Sequence, residues 1–468
     1  MIKDLYKFPK LPTACSLLVT EQCNLRCKYC FETHNNRFMN WETAKNAIDF
    51  LFENAIKSGC NEGVNITYFG GEPTLNPDLI IQCIEYGNYM SQETGIDFSS
   101  SIITNCLALP DNLYNYLKEN INNIKFSAQL SIDGVKEVQD MYRVTPNGKP
   151  SYDIVIKTLE KWKDIFRRED GSISTLLHIH GCINKQTMPY LYKNFIHFIE
   201  ELGIDSVWFL PIAEEDWDSS DVLLYKQETE KMLNYIIEKA KTDKSYLTRH
   251  APFDRYKYDN CHPTKLCGAG VTYCSITAEG DVYPCHQYYF NDPHKETCIG
   301  NVYSKNIDDN LRRFFLEYDA KDLTCDKNCD NYHCYRCLAA NFTNNKNSLI
   351  QTRKFYCGFM SIDRQNQLKL REVEQEMGLL NNKVYNCSSH TTDVHNGCDV
   401  VSTMDENGNK IYLESTYKEN SCKCGGDSCG GSDNSPEIIQ ALAEAVLSIG
   451  ENMKELIDKV EDIKKKVE

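Results

Sequence analysis

The sequence predicts an α/β protein: a parallel sheet with helices outside it, then a smaller cysteine-rich region, then a long C-terminal helix. Three observations carry this. Short apolar runs alternate six times with helically spaced apolar residues, and right-handed crossovers between such units build a parallel sheet. Cysteine- and glycine-bearing turns follow directly on the first two strands. Many of the 23 cysteines fall after the sixth strand, in a region of turns and short runs.

The elements follow in order. Ala14 to Thr20 is a first strand. Ala44, Ile48, Leu51, Phe52 and Ala55 then line one helical face. Asn65 to Phe69 is a second strand, followed by a helix that Pro77 opens and that carries Leu79, Ile80, Cys83 and Ile84. Ser100 to Thr104 is a third strand, Asp111 to Glu119 a helix, and Lys125 to Ile132 a fourth strand. A helix from about Tyr152 to Phe166 leads to a fifth strand, Ser174 to Ile183. A helix from about Met188 to Leu202 precedes the sixth strand, Ser206 to Pro211. His178 and His180 alternate on the fifth strand and share a face; they read as polar lining, or as a substrate contact. Trp208 and Phe209 read as packing. Residues 214 to 260 are polar and helical and look like a bridge.

Beyond the bridge, Gly280 to Cys285 carries a hairpin turn, and Ser361 to Met377 is a charged helix. Val400 to Thr416 alternates around Asn407-Gly408, a hairpin signal. Ser421 to Gly431 reads SCKCGGDSCGG, a linker composition with Cys422, Cys424 and Cys429 in it. Ser435 caps and Pro436 opens a last helix, where Ile439, Leu442, Val446, Ile449, Met453, Leu456, Val460, Ile463 and Val467 step by three and four. That is a heptad pattern suited to a homodimeric coiled coil, to docking on the chain's own core, or to a partner helix.

Composition narrows the function. The chain has 468 residues, 51 basic against 67 acidic, and a net charge of −16, which argues against nucleic acid or an anionic membrane as the main partner. No run approaches the length of a membrane span, and the first residues carry no signal-peptide core. The expectation is a cytoplasmic protein whose cysteines stay reduced and bind metal rather than form disulfides.

The chemistry concentrates in Cys23-Asn24-Leu25-Arg26-Cys27-Lys28-Tyr29-Cys30, directly after the first strand. Three thiolates at CxxxCxxC spacing can hold three irons of a [4Fe–4S] cubane and leave the fourth open for chemistry. A zinc knuckle is the alternative for the triplet alone. Gly70-Gly71-Glu72-Pro73-Thr74 after the second strand adds two glycines, which would let backbone approach a ligand, and a carboxylate. Together these resemble the radical S-adenosylmethionine (SAM) superfamily, with the aromatic Tyr29 before the last cysteine and the GGEP motif.

The resemblance implies a partial (β/α)6 TIM-like barrel with its site at the C-terminal ends of the strands. It implies SAM chelated to the open iron of the Cys23/Cys27/Cys30 cluster and cleaved to a 5′-deoxyadenosyl radical. Tyr29, Gly70, Gly71, Glu72 and Asn105 would contact SAM, with Glu72 on the ammonium. Thr104-Asn105-Cys106 stands where relatives carry Thr-Asn-Gly. By likeness to anaerobic sulfatase-maturing enzymes, Ser131 would bind the ribose or the carboxylate of SAM and Arg143 the carboxylate; a surface ion pair is the other reading of Arg143.

The second cysteine group resembles the SPASM extension of peptide-modifying members, which holds two auxiliary [4Fe–4S] clusters. Cys261, Cys267, Cys285 and Cys337 would hold one, and Cys325, Cys329, Cys334 and Cys357 the other, with Cys274 spare or replacing Cys261. The family spacing Cys-x2-Cys-x5-Cys-x3-Cys becomes gaps of three, four and two here. A zinc ribbon is the alternative. His286, where sulfatase-maturing enzymes carry an aspartate, is a candidate base, or a supporting or surface histidine. Cys387 and Cys398 have no assignment.

The domains expected are a radical SAM core over 14–235, a SPASM domain over 250–365, an extension over 380–434 and a heptad helix over 435–468. The expected function is maturation of a ribosomally made peptide by thioether or other crosslinking, with a flavodoxin- or ferredoxin-type reductant. A formylglycine-forming sulfatase maturase and a non-catalytic Fe–S electron-transfer protein are the alternatives.

Overall fold

The computed structural model describes residues 10–59, 63–249, 267–292, 295–317, 337–339, 356–379, 402–404 and 410–412. The heptad helix over 435–468, the 421–431 segment, and Cys261, Cys325, Cys329, Cys334, Cys387, Cys398, Cys422, Cys424 and Cys429 lie outside these residues.

Six strands form the parallel core: β1 (Ala14–Thr20), β2 (Val64–Gly70), β3 (Phe98–Thr104), β4 (Phe126–Ser131), β5 (Leu177–Ile183) and β6 (Val207–Pro211). They pair in sequence order. The crossovers carry α1 (Trp41–Ser58), α2 (Pro77–Thr94), α3 (Asp111–Asn120), α4 (Lys136–Tyr142), α5 (Tyr152–Ile165) and α6 (Leu191–Ile196); α7 (Ser219–Ala240) follows β6. Each helix buries the face its periodicity predicts. In α1, Ala44, Ile48, Leu51, Phe52 and Ala55 are all buried, and the side chain of Asn40 caps its start by accepting from Thr43 N.

The strands alternate strictly. In β2 to β5 every second residue is buried against the helices, while the others are partly open on the opposite face. That second face is polar. It carries Asn65, Thr67, Ser99, Ser101, Ser127, Gln129, His178 and His180, with Asn65 Nδ2 donating to Ser99 Oγ at 2.9 Å and Thr67 and Ser101 hydroxyls 2.9 Å apart. Such a face belongs to a half-barrel whose interior is a site rather than a core.

Several expectations are corrected. The short helix α4 has no periodic signal and was not expected. The span 188–202 is not one α-helix: a 3-10 turn (Met188–Tyr190), α6 and a π turn (His197–Glu201) share it. The bridge is not merely polar, because α7 buries Val222, Tyr225, Met232, Leu233 and Ile236. Against it lies the helix Tyr356–Glu376: Phe359 packs edge-on to Trp217 and Tyr225, and Tyr225 Oη donates to Asp363 Oδ1 at 2.7 Å. Trp208 is not packing; it is 39% exposed on the open face beside His178, whereas Phe209 is buried against Phe198.

The cysteine-rich region continues the sheet of the core. Its strand β7 (Tyr273–Ile276) pairs in parallel with the free edge of β1, and β8 (Asp281–Tyr283), β9 (Gly300–Asn301) and β10 (Asn306–Ile307) add antiparallel beyond it. Among the described residues the sheet therefore has ten strands, ordered β10-β9-β8-β7-β1-β2-β3-β4-β5-β6. The predicted C-terminal hairpin is present as Ser402–Met404 paired antiparallel with Lys410–Tyr412.

Candidate active site

The C-terminal ends of β1 to β5 converge on one region, and the chain's chemistry lies there. The loop 23–30 leaves β1 and is pinned from two sides. Backbone Arg26 N donates to Val144 O at 2.7 Å and Lys28 N to Tyr142 O at 3.0 Å, while Leu25 is fully buried. Cys30 N donates to Cys27 O at 3.1 Å, which closes the turn between the second and third thiols. On the β2 side, Gly71 N donates to Thr20 O and Glu72 N to Gln22 O, each at 2.9 Å.

The two glycines serve that second contact. Gly70 has φ 120°, and a Cβ there would stand 1.9 Å from Thr20 O; at Gly71 it would stand 2.4 Å from Gln22 O. Only glycine lets the two strand ends close to hydrogen-bond distance.

Glu72, expected on the SAM ammonium, is fully buried and already occupied. Its Oε1 accepts from Thr74 N (3.1 Å), Thr74 Oγ1 (2.7 Å) and Thr104 Oγ1 (2.6 Å), and its Oε2 from Asn105 N (2.7 Å). A carboxylate offers about four acceptor sites, so Glu72 is a clamp joining the ends of β2 and β3. Asn105 continues the clamp: its Nδ2 donates to Asn24 Oδ1 at 2.8 Å and lies 3.6 Å from Cys23 Sγ. Cys106, in the place of the usual glycine, takes φ 59°, a left-handed conformation that explains the family's glycine.

Asp133, two residues beyond Ser131, is a site residue for which the sequence analysis has no assignment. Buried at the end of β4, it pairs with Arg143 (Nε–Oδ1 3.0 Å), accepts from Tyr29 Oη and accepts from Cys182 N at 3.0 Å. Gln139 of the unexpected α4 braces it by accepting from Asp133 N at 2.9 Å. Arg143 is thus a buried ion-pair member, not a surface one. Its Nη1 lies 3.9 Å from Cys27 Sγ and its Nη2 3.9 Å from Cys182 Sγ. Burial works against its charge, but Asp133, Tyr29, Cys27 and Cys182 outweigh that and hold the guanidinium protonated more firmly than usual. Tyr29 stacks on Tyr142 at 5.9 Å and under the guanidinium at 5.5 Å, so its ring anchors the loop. Ser131 ends β4 beside His180 of β5.

A signal for Asp133 was available: a carboxylate one residue past a strand end in a parallel sheet. Cys182 also had one, standing two residues after His180 on the same face. Glu32 had none in sequence; it sits beside the loop with its Oε2 buried and unpartnered among the described residues.

The thiols show what this site requires. Burial pushes Cys23 and Cys30 up to about 12 and raises Cys27 as well. Such surroundings favour the thiol over the thiolate, and iron would displace those protons. Among the described residues no three metal-ligating side chains converge on one ion, but a cubane holds each thiolate on a separate iron. Three thiols on one pinned turn, beside an unpartnered buried carboxylate oxygen, are a donor set that fits a three-thiolate cluster with a cationic co-ligand.

The second group has a different construction. Cys267, Cys285 and Cys337 lie close enough that each thiol acts on another's ionisation. Cys337 Sγ also donates to Gln287 Oε1 at 3.3 Å, and Cys357 begins the helix packed on α7. Cys274 is not with them. It is fully buried on β7, paired in register with Cys15 in the apolar core, which removes it as a substitute for Cys261. His286 follows Cys285 at the start of a short helix and reaches across to the end of β2. Its ring is 4.5 Å from Phe69 and 6.1 Å from Phe31, and its Nδ1 is buried without a hydrogen-bond partner among the described residues. Burial pushes it down to about 4.

The comparisons with known proteins agree with this geometry. The Radical SAM superfamily model matches residues 17–188. An uncharacterized protein of Methanocaldococcus jannaschii is 29% identical over 295 residues, covering 62% of this chain and 88% of its own. A cysteine-type anaerobic sulfatase-maturating enzyme of Clostridium novyi is 27% identical over 389 residues, covering 76% of this chain and 96% of its own. The structure of native anSMEcpe with bound AdoMet and Cp18Cys peptide has a TM-score of 0.59 at 18% identity, covering 78% of this chain and 100% of that one; this is a likeness of fold. Residues 17–188 form a radical SAM domain.

Proposed function

We propose that this chain is a radical SAM enzyme that matures a ribosomally made peptide, forming a thioether or other crosslink after hydrogen-atom abstraction. One observation carries the reading. The pinned loop of Cys23, Cys27 and Cys30 opens onto the polar, half-exposed face of the parallel strands, and His286, next to Cys285, closes the same end of β2. A substrate lying along that face would meet both cysteine groups.

SAM and a [4Fe–4S] cluster, when bound, supply a 5′-deoxyadenosyl radical by one-electron cleavage of the sulfonium. Cys23, Cys27 and Cys30 would hold the cluster. Arg143, set by Asp133, presents its remaining guanidinium edge toward Cys27 and suits the SAM carboxylate. Asn105 and Ser131 stand at neighbouring strand ends within the same crescent. Cys267, Cys285 and Cys337 would hold part of an auxiliary cluster with Cys261, and Cys357 part of the other; these would accept an electron from the substrate. His286, enclosed by Phe69 and Phe31, would take a substrate proton at Nδ1, the atom that no group of the described chain occupies.

That anSMEcpe was solved with a bound peptide supports a peptide substrate. The likeness to the Clostridium novyi enzyme, over nearly all of that protein, keeps a second reading in play: oxidation of a cysteine to formylglycine. The test is 5′-deoxyadenosine formation by the anaerobically reconstituted protein with SAM and dithionite, against Cys27→Ala, with and without cysteine-containing peptides. Product from wild type alone supports the radical reading. A peptide that keeps its sulfur and gains a crosslink supports maturation; one that loses its sulfur and gains an aldehyde supports the second reading. No cleavage with any peptide, despite full iron loading, removes both.

A further inference from the structure

The open face of the half-barrel is built in layers, and the layers are not alike. Ser16, Thr67, Ser101 and Ser127 stand level across β1 to β4 as a row of hydroxyls. One layer nearer the C-terminal strand ends, Gln129 is level with His178; one layer further, Ser131, His180 and Trp208 are level. Next above them on β5 is Cys182, whose Sγ lies 3.9 Å from Arg143 Nη2. Among the open-face residues of β2 to β6, Trp208 is the large apolar side chain left exposed. Its ring leans one layer down onto His178, 5.0 Å between centroids at a 32° tilt, so the two rings form an open corner. No open-face position of β2 to β6 holds Asp, Glu, Lys or Arg.

We infer that Trp208 and His178 select the substrate by stacking an aromatic side chain of the peptide in their corner. The assignment rests on the peptide-maturation reading and names a substrate feature which that reading leaves open. A tilted ring pair can take a third ring in offset or edge-on contact, at about 4.5–7 Å between centroids, and such contacts add to the gain from burying area. The neutral lining disfavours a charged side chain. An ammonium would be drawn to the indole face but would find no counter-charge on the open face, where burial makes an uncompensated ion costly. The hydroxyl row and the Gln129 carboxamide can bond peptide amides or a phenol, since each both donates and accepts. Position agrees with chemistry. The cysteine loop and its clamps take the ends of β1 to β3, whereas the corner lies on β5 and β6, one to two layers below Cys182, each layer about 7 Å along a strand. An aromatic residue held there stands beside the reacting position, not in it. Trp208 and His178 are thus specificity residues that would fix which neighbouring peptide residue lies under the cysteine loop.

The experiment is binding of three blocked amino acids to the anaerobically reconstituted full chain with SAM present, read by saturation-transfer NMR titration. The probes are N-acetyltyrosinamide, N-acetylleucinamide and N-acetyllysinamide. Wild type is expected to bind the tyrosine probe about threefold to tenfold more tightly than the leucine probe, the scale of one ring pair beyond its buried area. In Trp208→Leu the two affinities should become equal, through loss at the tyrosine probe alone. Equal affinities in wild type overturn the inference, as does tighter binding of the lysine probe, a preference for tyrosine that survives Trp208→Leu, or no binding of any probe. Should Trp208→Leu fail to fold, Trp208→Phe decides: its smaller ring should weaken the tyrosine probe about twofold and leave the leucine probe unchanged, and an unchanged ratio overturns the inference. Failure of the enzymatic reading looks different. A chain that prefers the tyrosine probe through Trp208 but forms no 5′-deoxyadenosine keeps the aromatic corner and loses the radical reaction. One that forms 5′-deoxyadenosine and shows no aromatic preference loses the corner alone.

Discussion

The two cysteine groups reach their positions by opposite routes. Cys23, Cys27 and Cys30 belong to one turn whose geometry is fixed by backbone hydrogen bonds to residues 142–144 and by clamps at the ends of β2 and β3. Asp133, Arg143 and Tyr29 support it from below as a buried polar network. Cys267, Cys285 and Cys337 have no such turn. They come together across a small apolar cluster of Val271, Tyr283, Tyr288, Phe315, Leu338 and Ala339, with buried Arg312 tying Gly270 O and Lys10 O together. A ligand set held within one turn needs a strict spacing. One assembled by tertiary packing tolerates altered gaps, which is why the departure from the family's spacing in the second group does not by itself speak against a cluster there.

The comparison can be broken first at Asp133. Asp133→Asn leaves the Arg143 guanidinium buried and uncompensated, and should destabilise the ligand-free fold by roughly 3–5 kcal/mol. Urea unfolding checks this; a change below about 1 kcal/mol would mean that the network does not carry the first loop. The same substitution should leave iron bound by the second group unchanged, because the partners of Asp133 among the described residues are Arg143, Tyr29, Cys182 and Gln139, all on the side of the first loop.

A pH measurement tests the half-barrel floor between the groups. Burial pushes His178 down to about 4 from an ordinary 6.5. Between those values the unfolded chain binds a proton that the folded chain does not, so stability falls as pH drops from about 6.5 to 4, by up to roughly 3 kcal/mol. His178→Gln should flatten that part of the stability–pH curve. An unaltered slope would mean that the imidazole is solvated in the fold.

The smallest expected effect separates two cysteines seven residues apart. Cys274→Ala removes a buried sulfur from the core beside Cys15 and should lower stability by about 1 kcal/mol with iron content unchanged. Cys267→Ala should lower iron content instead. Equal iron loss in both would mean that the second cluster does not use the thiols that the fold groups together.

Legibility in the sequence followed the range of the interactions. Strands β1 to β6 and most helices could be read because each is a local period, two or 3.6, with its caps in the same few residues. The helix α4 and the broken span 188–201 could not, since they follow neither period over a full window. The cysteine loop was legible as a motif, but the roles within it were not. Gly70 and Gly71 were legible as positions of close approach, but not the nearness of Thr20 O and Gln22 O that a Cβ at either would meet.

What the sequence by itself determined is therefore the order of the strands, the turn that carries Cys23, Cys27 and Cys30, and the radical SAM domain. These depend on residues adjacent in the chain. Tertiary structure alone decided that β7 joins the edge of β1 and withdraws Cys274 into the core, that Glu72 is saturated while Glu32 is not, and that Asp133 unites Tyr29, Arg143 and Cys182. Which donor reaches which acceptor across folded strand ends depends on approach in space. Buried polar groups make that approach decisive, because each must find its partner inside the fold.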